Sequence, residues 1–240
     1  MHIQLMTDSG TDIPKEILDS HDIKVIPLYL HFSDGQYKSG IDLDTRGYHQ
    51  KVKELGELPQ SAAPSPNDFY EAYKEVDANF PIVMLSLSAG LSSTYENAVA
   101  GRDMLLNDEP NRKIEVINTK TTSCGTSLLL HEAITKIKEG YDFDVLVEHI
   151  HNKINQTSTL FVLKTLDNLV QGGRLDKVRG KIAKTLNVKL LMRASDEGTI
   201  EVSEKIRGEK KSIRRFIEQI GEYTKEFEDK VITMTYCNDE

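Results

Sequence analysis

The sequence has no tryptophan and only two cysteines among its 240 residues. Cys124 and Cys237 stand alone, outside any CxxC pair or metal-ligand spacing, so neither a disulfide framework nor a cysteine metal site is built on them. A single bridge between the two stays open; the reading adopted is two buried free thiols in a reducing cytoplasm. No apolar run approaches the roughly 20 residues a membrane span needs, and the start MHIQLMTDSG lacks the basic segment of a secretory leader. A soluble, cytoplasmic protein without stable membrane insertion is expected. Positive charge is in deficit, 30 Lys and Arg against 38 Asp and Glu for a net charge of −8. Such a molecule repels phosphate backbones and anionic surfaces, which excludes nucleic acid as a first reading.

Catalytic signatures are missing as well. There is no Walker lysine motif, no GxGxxG after a strand, no HExxH and no GxSxG. The seven histidines are scattered, and His149 and His151 share no helical face. No metal and no cofactor is therefore expected.

What is present is an α/β pattern. Short apolar runs at 3–6, 24–32, 82–87 and 114–118 alternate with amphipathic stretches near 14–20, 45–53, 67–76, 93–106, 123–139 and 143–155. Strand followed by helix, repeated, predicts an N-terminal parallel sheet flanked by helices. After residue 156 the texture changes. A strand at 158–163, a short helix at 165–170, a break at Gly172 and Gly173 and a helix at 178–186 are predicted. Strands at 188–194 and 200–204 flank Asp196, Glu197 and Gly198, a hairpin signal. A helix at 209–227 and a strand at 231–236 close a second α/β lobe. The expected division is 1–156 and 157–240, the second incomplete because Asn238, Asp239 and Glu240 look like an N-cap with no helix after it.

Four strand-end loops are rich in hydroxyls. They are Thr7 to Asp12, Ser61 to Pro66, Ser86 to Thr94 and Thr119 to Ser123. Ligands of parallel sheets bind beyond the carboxyl ends of the strands. Hydroxyls beside helix N-termini suit a carboxylate or phosphate. The bland reading is that Ser, Thr and Asp are there as helix caps. Hydroxyl donors without an evident base suit binding better than covalent catalysis.

Thr7, Asp8 and Ser9, then Pro27 and Leu28, then Leu91, Ser92, Ser93, Thr94 and Tyr95 resemble the DegV family. So do Gly125, the run from Leu166 to Gly172, Gly173 and Arg174, then Val188 with Lys189, and Arg207. The resemblance implies a two-lobe α/β protein holding a long-chain fatty acid as ligand. Its carboxylate would meet the loops of Ser61 and Ala62 and of Ser92, Ser93 and Thr94, with Arg174 close by. It would be presented to a separate ATP-dependent fatty acid kinase for acyl-phosphate formation in phospholipid synthesis, as in bacterial members. Arg207, with Lys205, Lys210 and Lys211, would form the docking face, although a solvated surface explains the same residues.

The acyl chain would lie in a tunnel of the second lobe. Leu160, Phe161, Leu163, Leu166 and Leu169 are offered as its lining, with Ile182, Leu186, Leu190 and Met192; ordinary core is the bland reading. At about 0.8 kcal/mol per methylene, a ~16-carbon tail supplies on the order of 10 kcal/mol before ordering costs.

The chain departs from the family pattern at three places. The family's P-x-T-S-Q-P-S is Pro59, Gln60, Ser61, Ala62, Ala63, Pro64 and Ser65 here, which loses a hydroxyl and an amide. Ser93 replaces a glycine, and Asn118 with Thr119 stands where Asp–Ser is common. A further C-terminal segment bearing a histidine is expected of the family and not found. Two alternatives stand beside the fatty-acid carrier. One is a stand-alone phosphoryl or acyl transferase with Asp8, Asp12 or Glu96 as base; the other is a module for another lipid or small anion.

Overall fold

The computed structural model describes residues 2–163, 166–174, 178–179 and 188–236. The chain opens with β1 (Gln4–Asp8), α1 (Lys15–Ser20) and β2 (Lys24–Ile26). It continues through β3 (Tyr29–Phe32), β4 (Gly35–Lys38), α2 (Thr45–Leu55), β5 (Gln60–Ala62) and α3 (Pro66–Lys74). Next come β6 (Ile82–Ser86), α4 (Thr94–Asp108), β7 (Ile114–Asn118), α5 (Cys124–Lys138) and α6 (Phe143–Ile154). The remainder is β8 (Leu160–Val162), α7 (Asp167–Gln171), β9 (Val178–Arg179), β10 (Val188–Ala194), β11 (Ile200–Arg207) and α8 (Glu209–Tyr223).

The four strands β2-β1-β6-β7 form one parallel sheet in that order. β1 and β6 are buried at every residue, as strands covered on both faces must be. Alternation divides their side chains between two cores. Val83 and Leu85 pack with Leu129, Leu130 and Leu146 of α5 and α6, and Ile17 of α1 joins them. Ile82 and Met84 point the other way, against Phe69 and Tyr73 of α3 and Ala98 and Leu105 of α4. Gly101 lets those two helices touch, since a Cβ there would stand 2.6 Å from both Phe69 Cβ and Pro66 O.

The expected single strand at 24–32 is two strands in two sheets. Pro27 has no N–H to give the ladder, and the next donor, Leu28 N, goes to Ser9 Oγ at 2.9 Å instead. Beyond this break β3 pairs antiparallel with β4 and β5 in a three-stranded sheet. β4 and β5 escaped sequence reading because Gly35, Gln36 and Lys38, and Gln60 with Ser61, carry no apolar alternation.

The third sheet has the order β8-β10-β11-β9, with β10 and β11 the expected hairpin and α8 packed against it. Its small core joins Leu190, Met192 and Ile200 to Phe161, Leu163, Leu166 and Leu169, with Leu91 reaching in from the parallel-sheet side.

Three expectations in this region are corrected. Residues 178–179 pair with Ile200 and Glu201 as a strand rather than opening a helix, and 180–187 lie outside the described residues. The predicted helix over 209–227 ends at Tyr223, where Thr224 turns extended. Residues 231–236 form no strand, because no described strand edge pairs with them; Met234 and Tyr236 are 81% and 79% exposed. Among the described residues, no helix is long and apolar enough to cross a membrane. Cys124 is a free, half-buried thiol, while Cys237 lies outside the described residues.

Candidate functional site

Chain order reverses across the parallel sheet between β1 and β6. β1 leads to β2 on one side, and the chain returns to β6 on the other. The loops beyond such a switch point diverge and leave a crevice. Asp8, at the end of β1 beside this point, is fully buried. Asp8 Oδ1 accepts from Gly10 N at 2.9 Å, and Oδ2 accepts from Leu87 N at 2.8 Å and Ser86 Oγ at 3.3 Å. Burial pushes its pKa up to about 6 against the lowering effect of those three donors. Thr7 reinforces the join by donating to Leu85 O across 2.9 Å.

The loop after β7 is tied to its neighbours in the same manner. Thr119 Oγ1 donates to Ser86 O at 2.8 Å, and Asn118 Oδ1 accepts from Ala89 N at 3.2 Å and Lys120 N at 3.1 Å. Lys120 and Ser123 adopt φ of 55° and 57°, the left-handed region that disfavours a side chain. Ser123 is held there by its N–H to Gly10 O at 2.7 Å and by its hydroxyl to Asp12 Oδ2.

These bonds divide the hydroxyl loops into two kinds. Ser65 is a cap. Its Oγ accepts from Asp68 N at 3.2 Å, and Asp68 Oδ2 accepts from Ser65 N at 2.7 Å, a capping box with Pro66 at the first helical position. Ser93 precedes α4 and makes no cap bond. Its exposed side chain lines a cleft of about 390 Å3 with Ala89, Leu91, Ser92, Glu96, Gly172, Gly173 and Arg174.

Arg174 reaches this cleft because α7 ends in a left-handed glycine turn. Gly173 has φ 69°, and Arg174 N donates back to Leu169 O at 2.8 Å. The Arg174 guanidinium donates to Gly172 O, stiffening the same turn. Gly172 and Gly173 thus make the tight turn expected of them, and the turn sets Arg174 in the cleft lining.

Of the residues singled out in the sequence, Ser92, Ser93 and Arg174 are brought to one cleft. Thr94 is fully buried, and its Oγ1 shares a 2.8 Å hydrogen bond with Ser92 Oγ, orienting that serine from below. Ser61 and Ala62 sit in β5, paired with Leu30 and Tyr29, outside the cleft lining. The loop that follows them is tied to α4, where Asn97 Nδ2 donates to Pro64 O at 2.7 Å. Arg207 is exposed at the end of β11, beside an open groove of about 740 Å3 lined by Gly208, Glu209, Lys210, Lys211 and Ile213. Among the apolar residues named for a tunnel, Phe161, Leu163, Leu166, Leu169, Leu190 and Met192 cluster together. Leu160 is not in that cluster, and Ile182 and Leu186 lie outside the described residues.

The three acids considered as bases differ in availability. Both Asp8 oxygens are occupied and Asp12 is held by Ser123, whereas Glu96 lines the cleft. Sequence reasoning missed Gly198 and Thr159, which approach the cleft loops from the third sheet: Ser88 Oγ donates to Gly198 O at 2.7 Å, and Thr121 and Thr159 hydroxyls are 2.7 Å apart. No local signal marks Thr159. No group of three or more metal-ligating side chains occurs among the described residues.

Comparison with known proteins agrees with this architecture. The profile for "Uncharacterised protein, DegV family" matches residues 2–240. A DegV domain-containing protein of Clostridium perfringens is 29% identical over 239 residues, 99% of this chain and 84% of its own length. The crystal structure of a DegV-family protein from Ruminococcus gnavus with vaccenic acid has a TM-score of 0.84 at 29% identity, covering 92% of this chain and 78% of that one. The Streptococcus pneumoniae Fatty Acid Kinase (Fak) B3 protein loaded with linoleic acid has a TM-score of 0.79 at 28% identity, covering 92% of this chain and 79% of that one. A profile that spans 2–240 and a shared two-sided parallel sheet lead to one conclusion: the chain belongs to the DegV family.

Proposed function

We propose that this chain binds a long-chain fatty acid and presents its carboxylate to a separate ATP-using kinase. The observation that carries the reading is the cleft itself. Ser92, Ser93 and Arg174 offer neutral and charged donors beside Leu91, and Leu91 packs into the apolar cluster of Leu190, Met192 and Ile200. A carboxylate is held by such donors, and an aliphatic chain gains from burial along such a cluster. Residues 1–156 would then supply the head-group loops and 157–240 the acyl-chain wall. Thr94 orients Ser92, and Ser61 and Ala62 on β5, outside the cleft lining, are proposed as further head-group residues.

The vaccenic and linoleic acids of the two solved relatives support the ligand class. The kinase named for the Streptococcus pneumoniae relative supports the presenting role. Arg207 with the groove at Lys210 and Lys211 is the proposed docking face. The test is native mass spectrometry of gently purified protein followed by lipid extraction. One fatty acid per chain is expected. An empty protein that turns over acyl or phosphoryl substrates without a kinase overturns the reading.

A further inference from the structure

The turn between β10 and β11 is seated inside the loops that frame the cleft. Ser88 is fully buried, and its Oγ donates to Gly198 O at 2.7 Å. The same oxygen accepts from Gly90 N at 3.1 Å, while Ser88 O accepts from Leu91 N at 3.0 Å and Ser92 N at 3.2 Å. One residue thus folds the loop bearing Ser92 and Ser93 and grips the opposing turn.

Backbone lies directly against backbone at this seat. Gly198 has φ +75°, and a Cβ on it would stand 2.1 Å from Ser88 Oγ and 2.8 Å from Lys120 Cα. Facing it, a Cβ on Gly90 would stand 2.7 Å from Gly198 O. Only glycine fits either place without displacing one wall. A second fastening lies close by. Thr121 Oγ1 and Thr159 Oγ1 share a 2.7 Å hydrogen bond, and Ala194 N donates to Thr159 O at 2.9 Å.

The turn is itself stiff. Ser195 Oγ accepts from Thr199 N at 3.0 Å and Glu197 N at 3.2 Å, and Ser195 N donates to Thr199 O at 2.8 Å. A stiff turn held between two loops transmits position rather than absorbing it.

We infer that Ser88, Gly90 and Gly198 are positioning residues that fix the separation between the carboxylate-holding loop and the apolar cluster, and so select acyl-chain length. This rests on the fatty-acid reading of the cleft. With the carboxylate anchored at Ser92 and Ser93, the length of chain that fills the cluster is set by how far the β10–β11 hairpin stands from that loop. Each methylene placed in or out of the apolar wall changes affinity about fourfold.

The test uses the full chain, stripped of lipid, with lauric, myristic, palmitic and stearic acids as probes and thermal midpoints recorded alongside. In Gly90→Ala the new methyl pushes loop and turn apart, and the stearate-to-myristate affinity ratio rises about fourfold or more. In Ser88→Ala and Thr121→Val, which remove one fastening each, the four affinities draw together. These two variants carry the test if Gly90→Ala does not fold. Wild-type discrimination that persists in folded variants, with every affinity lowered in proportion to the thermal midpoint, makes the seat a brace only and overturns the inference. Wild-type protein that binds none of the four acids overturns the fatty-acid reading, and the inference falls with it.

Discussion

Asp8 is a carboxyl group that burial and hydrogen bonding pull in opposite directions. Its folded pKa of about 6 lies above the ordinary 3.8, so the native chain keeps a proton that the unfolded chain has already lost. Its contribution is therefore greatest below about pH 4, declines as pH rises towards 6 and is level above, a change of about 3 kcal/mol. Urea unfolding at several pH values checks this: the stability of wild type relative to Asp8→Asn should fall between pH 4 and 6, and a rise would refute it. On the proposed fatty-acid reading, Arg174 and Glu96 act on the ligand instead. Arg174→Gln should weaken retention of a fatty acid about tenfold, the loss of one charge-assisted bond. Glu96→Gln should tighten it about two- to fivefold at low salt by removing an exposed like charge, with the gain vanishing at high salt. Competitive displacement of a fluorescent fatty acid measures both. At this scale the sequence was partly legible. The family resemblance put Ser92, Ser93 and Arg174 near one head group, and the structure brings the three to one cleft. The sequence could not tell that Ser65 spends its hydroxyl on Asp68 while Ser93 keeps its own exposed, because both precede helices and look alike as letters.

Elements were legible where one period dominates. The parallel strands were visible as apolar runs and the β10–β11 hairpin as an Asp–Glu–Gly turn. The three-stranded sheet was invisible because Gln36, Lys38, Gln60 and Ser61 face solvent or half face it. α8 misleads in the opposite sense. Its apolar residues Ile213 and Ile217 repeat at helical spacing, yet they are 50% and 61% exposed. The face set against the sheet carries Ser212 and Gln219, and Gln219 Nε2 donates to Ser203 Oγ at 3.1 Å and Glu204 Oε1 at 3.2 Å. Arg215 completes this polar seam by bonding both Glu204 and Glu222. Urea unfolding should therefore rank Gln219 and Ile217 against their hydropathy. Gln219→Ala removes a buried amide and its bonds to half-buried partners and should cost about 1 kcal/mol, whereas Ile217→Ala should stay within about 0.5 kcal/mol.

At the scale of the molecule, the convergence of loops at the switch point follows from strand order, and strand order is not written in any single segment. Alternating strands and helices predicted a parallel sheet; that β1 lies between β2 and β6 came only with the structure. A fatty acid bound as proposed, between the first and third sheets, would bind the folded chain and not the unfolded one and so stabilise it by mass action. At free fatty acid one hundredfold above its dissociation constant the gain is about 2.7 kcal/mol. For a chain of this size that is a rise in melting temperature of roughly 5–10 °C over delipidated protein, readable by calorimetry.

The seat of the hairpin turn carries a consequence for how the chain is made. Leu87 reaches back 79 residues to Asp8, Thr122 reaches 112 to Gly10, and Ser88 reaches 110 forward to Gly198. Closing such long spans costs loop entropy before the contacts repay it, so the pieces that frame the cleft come together slowly. A chain that has closed the parallel sheet but not yet seated the hairpin turn would have one wall of the cleft and nothing for an acyl chain to lie against. Ligand would then leave the refolding rate almost untouched and slow unfolding instead. A bound fatty acid would mark a chain that has finished folding.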